Sequence, residues 1–370
     1  MRLISLDVFR GIAIAAMILV NMAGLTDRVH PFLQHSDWHG CTPADLVFPF
    51  FLFIMGVGIS FSFYKYTKGK RPDASVYRRI ITRSIILFAL GLFLNSIGNY
   101  DISQIRIMGV LQRISLTYLI TTIAVIHFRR QWRWILAFTI LIGYWLAMTY
   151  IPVPGYGAGI LTREGNLGAY LDRIIIGTAH LYQGDNYNSM GDPEGLFSTL
   201  PALVNVLAGY FTGRWLRREP IDTRTSINLA LIGIICLIIG WDWGFLFPLN
   251  KKLWTSSYVL YSTGWSILFM AACHELFEVR DLRSWGKPFQ VLGLNAIFIF
   301  ISSVLAIKIL VKTHIGTGEN APTIYNWISQ HFLIPWAGET NSSLLLALLT
   351  LLFWWGVAYF MYWRSWFIKV

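Results

Sequence analysis

The chain has 370 residues, of which 55% are hydrophobic, 16% aromatic and only 13% charged, and its mean hydropathy is +0.54. A water-soluble globule of this length needs far more polar surface, so these values exclude one and indicate an all-α, polytopic integral membrane protein. The formal charge of +11 calls for no nucleic acid, because basic loops lying against anionic membrane lipid account for it.

A hydrocarbon core about 30 Å thick takes roughly 20 apolar residues per helix. About ten segments meet that length, near residues 4–26, 43–64, 80–98, 107–127, 132–150, 196–216, 226–247, 255–276, 288–310 and 343–363. The first run has no small-residue cleavage site after it and reads as a retained span rather than a signal peptide. Placing Met1 in the cytoplasm gathers most of the basic residues on the inner side, including the run from Lys65 to Arg83 and the groups at 129–133, 214–224 and 280–287. Both termini are therefore expected to be cytoplasmic. Residues 1–370 read as a single transmembrane domain. Cys41, Cys236 and Cys273 form no CxxC pair and suggest no disulfide framework.

Two outer segments, about 151–195 and 311–342, are too long for plain connectors and point to a lid or vestibule. The first carries His180, Asp192 and Glu194, and the second His314, His331 and Trp336.

In chain order, the first candidate is Arg10, one turn after Asp7. Either the two form a helix-end ion pair, or Arg10 offers fixed donors to a phosphate. Asn21 lies about three turns further along, within apolar sequence, where it either bonds a neighbouring helix or holds a carbonyl or oxyanion. His35 and His39 stand at i and i+4 with Asp37 and Cys41 nearby, which raises a metal site. The glutamate of an HExxH pattern is missing, however, and no metal is expected. The chemical reading makes His35 a general base or acyl carrier whose tautomer is set by a carboxylate such as Asp45. Asp45 precedes the apolar run Leu46 to Phe51, so it also begins the second helix, where capping is a sufficient role. Gly56-Val-Gly58 reads as close helix packing. Arg106 and Arg113 are expected on one face of the fourth helix, either paired with intramembrane acids or lining a cavity for an anionic or polar ligand. Asn250 and Lys251 either belong to an outer anchor with Trp254 in the aromatic belt or reach into the vestibule.

Ser5-Leu-Asp-Val-Phe-Arg-Gly11, Asn21, His35-Ser-Asp-Trp38, Ala44-Asp-Leu-Val-Phe-Pro49 and Phe53-Ile-Met-Gly56 resemble the start of the catalytic region of the heparan-α-glucosaminide N-acetyltransferase family, bacterial members included. The resemblance continues through Arg106-Ile-Met-Gly-Val-Leu-Gln-Arg113, Pro152-Val-Pro-Gly155, Leu171-Asp-Arg173, His180-Leu-Tyr-Gln183, Asp192-Pro-Glu-Gly195, Asn250-Lys251 and Gly293-Leu-Asn295. It covers nearly the whole chain in order, and the ordered set is specific. What it implies is an acyltransferase that passes acetyl from cytosolic acetyl-CoA to the amine of a glucosamine-type sugar or glycan across the membrane. His35 then falls on the family's active-site histidine with Asn21 as companion, and Asp45 joins them. Arg10 and Arg83 suit CoA phosphates, with Arg106 and Arg113 as further candidates. His180, Asp192, Glu194, Asn250, Lys251 and Asn295 are the candidate acceptor contacts. There are departures from the family pattern: His39 replaces an asparagine, Ser303 stands where a histidine is expected, and the relatives' large luminal domain is missing ahead of the first helix. A bacterial inner membrane and a homodimer are the expected setting. The rival reading is an amino-sugar or small-solute transporter, against which the two halves show no convincing similarity.

Overall fold

The fold was examined in a computed structural model, which describes residues 3–23, 29–67, 69, 71–98, 101–316 and 321–368. Apart from isolated bridges, all regular structure among them is helical. The helices in chain order are α1 (Ile4–Ala23), α2 (Pro43–Ser62), α3 (Tyr64–Thr67), α4 (Ala74–Ser96), α5 (Val110–His127), α6 (Arg130–Tyr150), α7 (Leu167–Ile175), α8 (Thr199–Leu216), α9 (Thr223–Trp243), α10 (Ser256–His274), α11 (Arg283–Leu294), α12 (Ala296–Lys312), α13 (Ile324–Ile328) and α14 (Ile334–Trp363). The expected inner-side charges Arg2, Lys68, Lys70 and Lys369, the end of the first expected span and Gly318 lie outside the described residues.

Every expected span meets a helix. Among the described residues, seven helical stretches are long and apolar enough to cross a membrane, and α11 with α12, bent by 68°, makes an eighth if the pair is one span. α8 and α10 fall short of that apolarity. Their buried faces carry Asn205 and Thr212 on one, and Ser256, Ser257, Ser262, Thr263 and Ser266 on the other, so hydroxyls and amides replace part of the apolar quota.

Local chemistry sets several helix starts. Asp73 caps α4 by accepting from Val76 N (3.1 Å), Asn166 caps α7 through Ala169 N (2.8 Å) and Asp222 caps α9 through Thr225 N (2.8 Å). Each side-chain oxygen satisfies an amide that the helix itself leaves without an acceptor. Ile227, Leu231, Ile234, Ile235 and Ile238 form an exposed apolar stripe along α9, and Ile135, Phe138, Ile142 and Leu146 do the same on α6. Such stripes at helical spacing face hydrocarbon rather than water.

The described residues form two compact units. One takes the chain to Ser36, residues 41–48 and everything from Ala272 onward. There α1 packs against α11, α12 and α14. A Cβ on Gly11 would stand 1.7 Å from the Phe289 carbonyl oxygen, and one on Gly293 would stand 2.0 Å from that of Asp7, so the α1 and α11 backbones touch. The other unit takes residues 37–40 and 49–271, with α4 on α5 and with α5 and α6 on α8. Here a Cβ on Gly56 would meet the Val206 oxygen at 1.9 Å, which is the close packing expected of the Gly56 segment. Gly58 has open space instead.

Three local expectations are corrected. The fourth helix begins at Val110, so Arg106 lies before it and shares no helix face with Arg113. The backbone around Arg106 is spoken for elsewhere: Asn95 Nδ2 donates to the carbonyls of Arg106 (2.9 Å) and Met108 (3.0 Å), and Ile107 N donates to His180 O (3.2 Å). Residues 311–342 are largely helical rather than loop, because α13 and a π-helical turn over Ser329–Leu333 lead into α14, with a break at Gly338 (φ 76°). Trp254 is 1% exposed and is a core residue, not a belt anchor.

Replacing Gly11 by alanine forces the α1 and α11 backbones apart. Thermal unfolding of the detergent-solubilised chain is expected to show a loss of about 1–3 kcal/mol, whereas Gly58→Ala should cost nothing measurable.

Candidate active site

His35 sits just before the turn that opens α2. Its Nδ1 lies 2.8 Å from Asp45 Oδ1, and the Asp45 side chain is 1% exposed while that of His35 is 41% exposed. The second oxygen of Asp45 accepts from Ser36 N (3.1 Å), Thr42 N (3.0 Å) and Thr42 Oγ1 (3.0 Å). Thr42, Pro43 and Asp45 occupy the N-cap, N1 and N3 positions of α2, and the Asp45 carboxylate reaches back to the Thr42 amide as in a capping box. An Nδ1–H donated to Asp45 puts the imidazole lone pair on Nε2, the arrangement a general base or nucleophile needs. Asn21 lies half-buried in the last turn of α1. Among the described residues no hydrogen bond joins it to His35. Arg10 pairs with Asp7 at 3.2 Å.

Asp37 to Gly40, the next residues of the chain, dock on the 151–195 segment and on Leu249 and Asn250, all in the second unit. Asp37 pairs with Arg163 at 2.7 Å, Trp38 Nε1 donates to Leu161 O (2.8 Å), and Gly40 N donates to Leu249 O (2.7 Å). Trp38 also meets Tyr187 edge-on with ring centroids 6.1 Å apart. His39 Nδ1 lies 3.4 Å from Asn250 Nδ2. Partial burial holds the His39 imidazole below its ordinary pKa, so it is neutral near pH 7 and accepts from the amide. The two histidines thus have different partners, and among the described residues no three His, Cys, Asp or Glu side chains converge as metal ligands.

Two acids of the 151–195 segment, Asp192 and Glu194, are held by Arg106. Arg106 Nε donates to Asp192 Oδ2 (2.7 Å), and its Nη2 donates to Asp192 Oδ1 and Glu194 Oε2 (2.5 Å each). The guanidinium also lies 4.3 Å from the Tyr182 ring. Burial alone would raise the Glu194 pKa, but Arg106 and Arg113 outweigh it and hold the group below the usual range. Of the two alternatives for Arg106, pairing with acids is the one realised. Arg113 is completely buried. It donates to Pro193 O (3.1 Å), Gly195 O (3.4 Å) and Ser198 Oγ, and stacks 4.7 Å from Trp254. His180 Nδ1 donates to Ile105 O (2.8 Å). Asp172 accepts from Leu196 N (2.9 Å), and burial pushes its carboxyl up to about 7.

The remaining candidates are scattered. Arg83 lies 4.6 Å from the Tyr118 ring. Asn250 is fully buried, and its Oδ1 accepts from Leu253 N (2.8 Å). Lys251 is half-buried close enough to Glu194 to lower its pKa. Asn295, at the break between α11 and α12, donates to Trp366 O and accepts from Ile368 N, both at 3.0 Å.

The profile described as the heparan-alpha-glucosaminide N-acetyltransferase catalytic family matches residues 2–241. The chain belongs to this family. It is 29% identical to the heparan-alpha-glucosaminide N-acetyltransferases of Mus musculus and Homo sapiens over 81% of its length. It spans about half the length of those relatives, 53% and 52% respectively. The family match contains Arg10, Asn21, His35, Asp45, Arg83 and the whole Arg106–Arg113–Asp192–Glu194 network, while Asn250, Lys251 and Asn295 lie beyond it.

Sequence reasoning missed Thr42, Arg163, Ser198 and Asn205. Thr42 was detectable as the first residue of a Thr-Pro-Ala-Asp capping pattern. The others act through contacts more than thirty residues away along the chain and left no local signal.

Arg106→Gln strands two buried carboxylates and is expected to cost about 3 kcal/mol in denaturant unfolding, with partial recovery in Arg106→Gln/Asp192→Asn. Asp172 gives an opposite kind of signature. Its folded pKa is raised above the unfolded one, so the folded state holds the proton longer, and stability falls as pH rises from about 4 to about 7. Asp172→Asn should flatten that part of the stability–pH curve.

Proposed function

We propose that this chain is a membrane-embedded acetyltransferase that moves acetyl from acetyl-CoA to the amine of a glucosamine-type sugar, with both termini and the CoA entrance in the cytoplasm and the acceptor on the opposite side. The single observation that carries this is the buried Asp45 bonded to the half-exposed His35, in a chain of a family named for N-acetyl transfer. The names of the mouse and human relatives support glucosaminide as the acceptor class. The apolar composition and positive inner loops support the membrane placement.

A glucosamine amine is largely protonated near neutral pH, so amide formation needs a base. In the proposed reaction His35 Nε2 takes a proton from the ammonium, and the buried Asp45 stabilises the imidazolium that results. The freed amine attacks the thioester carbonyl carbon, the C–O double bond opens to an oxyanion, and collapse of that adduct breaks the C–S bond. The CoA thiolate leaves and takes up the proton that the adduct nitrogen sheds as it becomes the amide, and the His35 imidazolium returns its own proton to solvent. The Asn21 amide is the proposed donor to the oxyanion. Direct transfer needs only this one base beside a positioned thioester. The alternative makes His35 Nε2 the nucleophile and passes acetyl through an acyl-imidazole.

Arg10, in the second turn of α1, and Arg83, expected at a helix end but lying in the third turn of α4, are the proposed contacts for CoA phosphates. Arg106 and Arg113 are given a different role, since their guanidinium groups are bonded to the outer segment. They brace the surface on which the acceptor docks, and Asn250 and Lys251 are retained as acceptor contacts.

Purified protein with acetyl-CoA and glucosamine or glucosaminides should release free CoA thiol. His35→Ala should reduce that rate by at least about a hundredfold, and Asp45→Asn by about tenfold or more. Thiol release unaffected by His35→Ala would defeat the assignment. Sugar flux into vesicles without acetyl-CoA binding would favour transport. Radiolabelled acetyl trapped on His35 in the absence of sugar would replace direct transfer with the two-step route.

A further inference from the structure

At one end of the second unit, where α2, α5 and α8 end and α6 begins, arginines collect that form no ion pair with a carboxylate among the described residues. Arg133, 4% exposed, donates from Nη1 to Tyr210 OH and from Nη2 to Val125 O, both at 2.6 Å. Arg217 donates to Ser60 O (2.5 Å) and lies 3.7 Å from the centre of the Tyr64 ring. The Nε atoms of Arg133 and Arg217 are buried with no hydrogen-bond partner. Arg214 is within electrostatic reach of both, and Arg218 of Arg217. Half-buried Arg214 makes no hydrogen bond or ion pair with any described residue.

Clustered guanidinium groups repel one another, and partial burial raises the cost because water screens them less. Two other arginines of this unit are paired with carboxylates, Arg106 with Asp192 and Glu194 and Arg163 with Asp37, while Arg113 is held by carbonyls, Ser198 and Trp254 with Asp192 and Glu194 within electrostatic reach. Among the described residues, the hydrogen-bond and ring partners of Arg133 and Arg217 are neutral acceptors and aromatic rings. The acids nearest in sequence, Glu219 and Asp222, pair with none of them among the described residues, and Asp222 caps α9. Tyr64 and Tyr210 fix the outer two guanidinium planes, and the unengaged Arg214 is the group left to reach a ligand. Guanidinium forks bind phosphate oxygens in pairs, which suits a site with preset planes and no competing carboxylate.

We infer that Arg214, backed by Arg133 and Arg217, forms a binding site for a phosphate group, carried either by the nucleotide part of CoA or by an anionic lipid headgroup. The CoA source rests on the proposed acetyl transfer, while the site itself does not.

The test uses the full chain in detergent and follows its thermal midpoint during titration with CoA and, separately, with phosphatidylglycerol in mixed micelles, with phosphatidylcholine as the uncharged-net control. Arg214→Gln is the decisive variant, because Arg214 holds no other part of the fold in place. Arg78→Gln, an exposed arginine in the first turn of α4, controls for diffuse charge. The expected result is that Arg214→Gln weakens the apparent affinity for at least one of the two anions about tenfold, with Arg78→Gln unchanged. A loss confined to CoA assigns the nucleotide, and a loss confined to phosphatidylglycerol assigns the lipid. Unchanged affinity for both in Arg214→Gln, or an equal loss in Arg78→Gln, overturns the site. A chain that binds through Arg214 but moves no acetyl keeps this site and loses the proposed activity.

Discussion

A cation removed from water needs acceptors where it sits, and Arg113, which finds them for Nη2 while Nε and Nη1 have none among the described residues, imposes that need on the second unit. Its guanidinium binds the carbonyls of Pro193 and Gly195 and the Ser198 hydroxyl, which fixes how the long outer segment enters α8. Trp254 covers its other side and passes the constraint on through Asn205, whose Oδ1 accepts from the indole N–H (2.9 Å) and whose Nδ2 donates to Ser262 and Thr263 on α10. Asp172 and the Arg106 clamp then tie α7 and the segment before α5 to the same stretch of chain. The outer segment is ordered by charge satisfaction more than by apolar burial, although Tyr144, Val153, Leu167 and Phe247 add a small apolar core beneath it.

The helices were legible because apolar runs of the right length are dictated by bilayer thickness: all ten expected positions meet a helix, and seven stretches, or eight with the bent pair, are long and apolar enough to span among the described residues. What the sequence obscured was where helices bend or stop for reasons outside their own residues. Arg106 reads as helical by spacing, yet Asn95 and His180 take its neighbours' backbone groups and hold that stretch extended. The π-helical turn before α14 and the break at Gly338 interrupt a run whose composition alone is ambiguous. Trp254 is a similar case, since an aromatic near a span end has the composition of a belt residue, and only its bond to Asn205 shows it to be core.

At the candidate site the sequence exposed types and not partnerships. His35 and Asp45 were recognisable as a pair because ten residues and one helix start separate them. The division of the two histidines was not, because it depends on Asn250, more than two hundred residues away. Arg106, Asp192 and Glu194 were all visible as unusual charges, and their neutralisation of one another emerged only when the chain was folded. The same folding left Arg133, Arg214 and Arg217 in no ion pair among the described residues, which no inspection of local spacing reveals.

Asp45 occupies two structural roles at once. One oxygen orients the His35 ring and the other closes the first turn of α2 through Thr42 and Ser36. The posture of the imidazole is therefore tied to the folding of that turn: whatever frays the helix start also releases the ring. The proposed proton-transfer group is thereby tied to the first turn of a helix, where fraying is easiest, so its orientation follows the local equilibrium that opens and closes that turn.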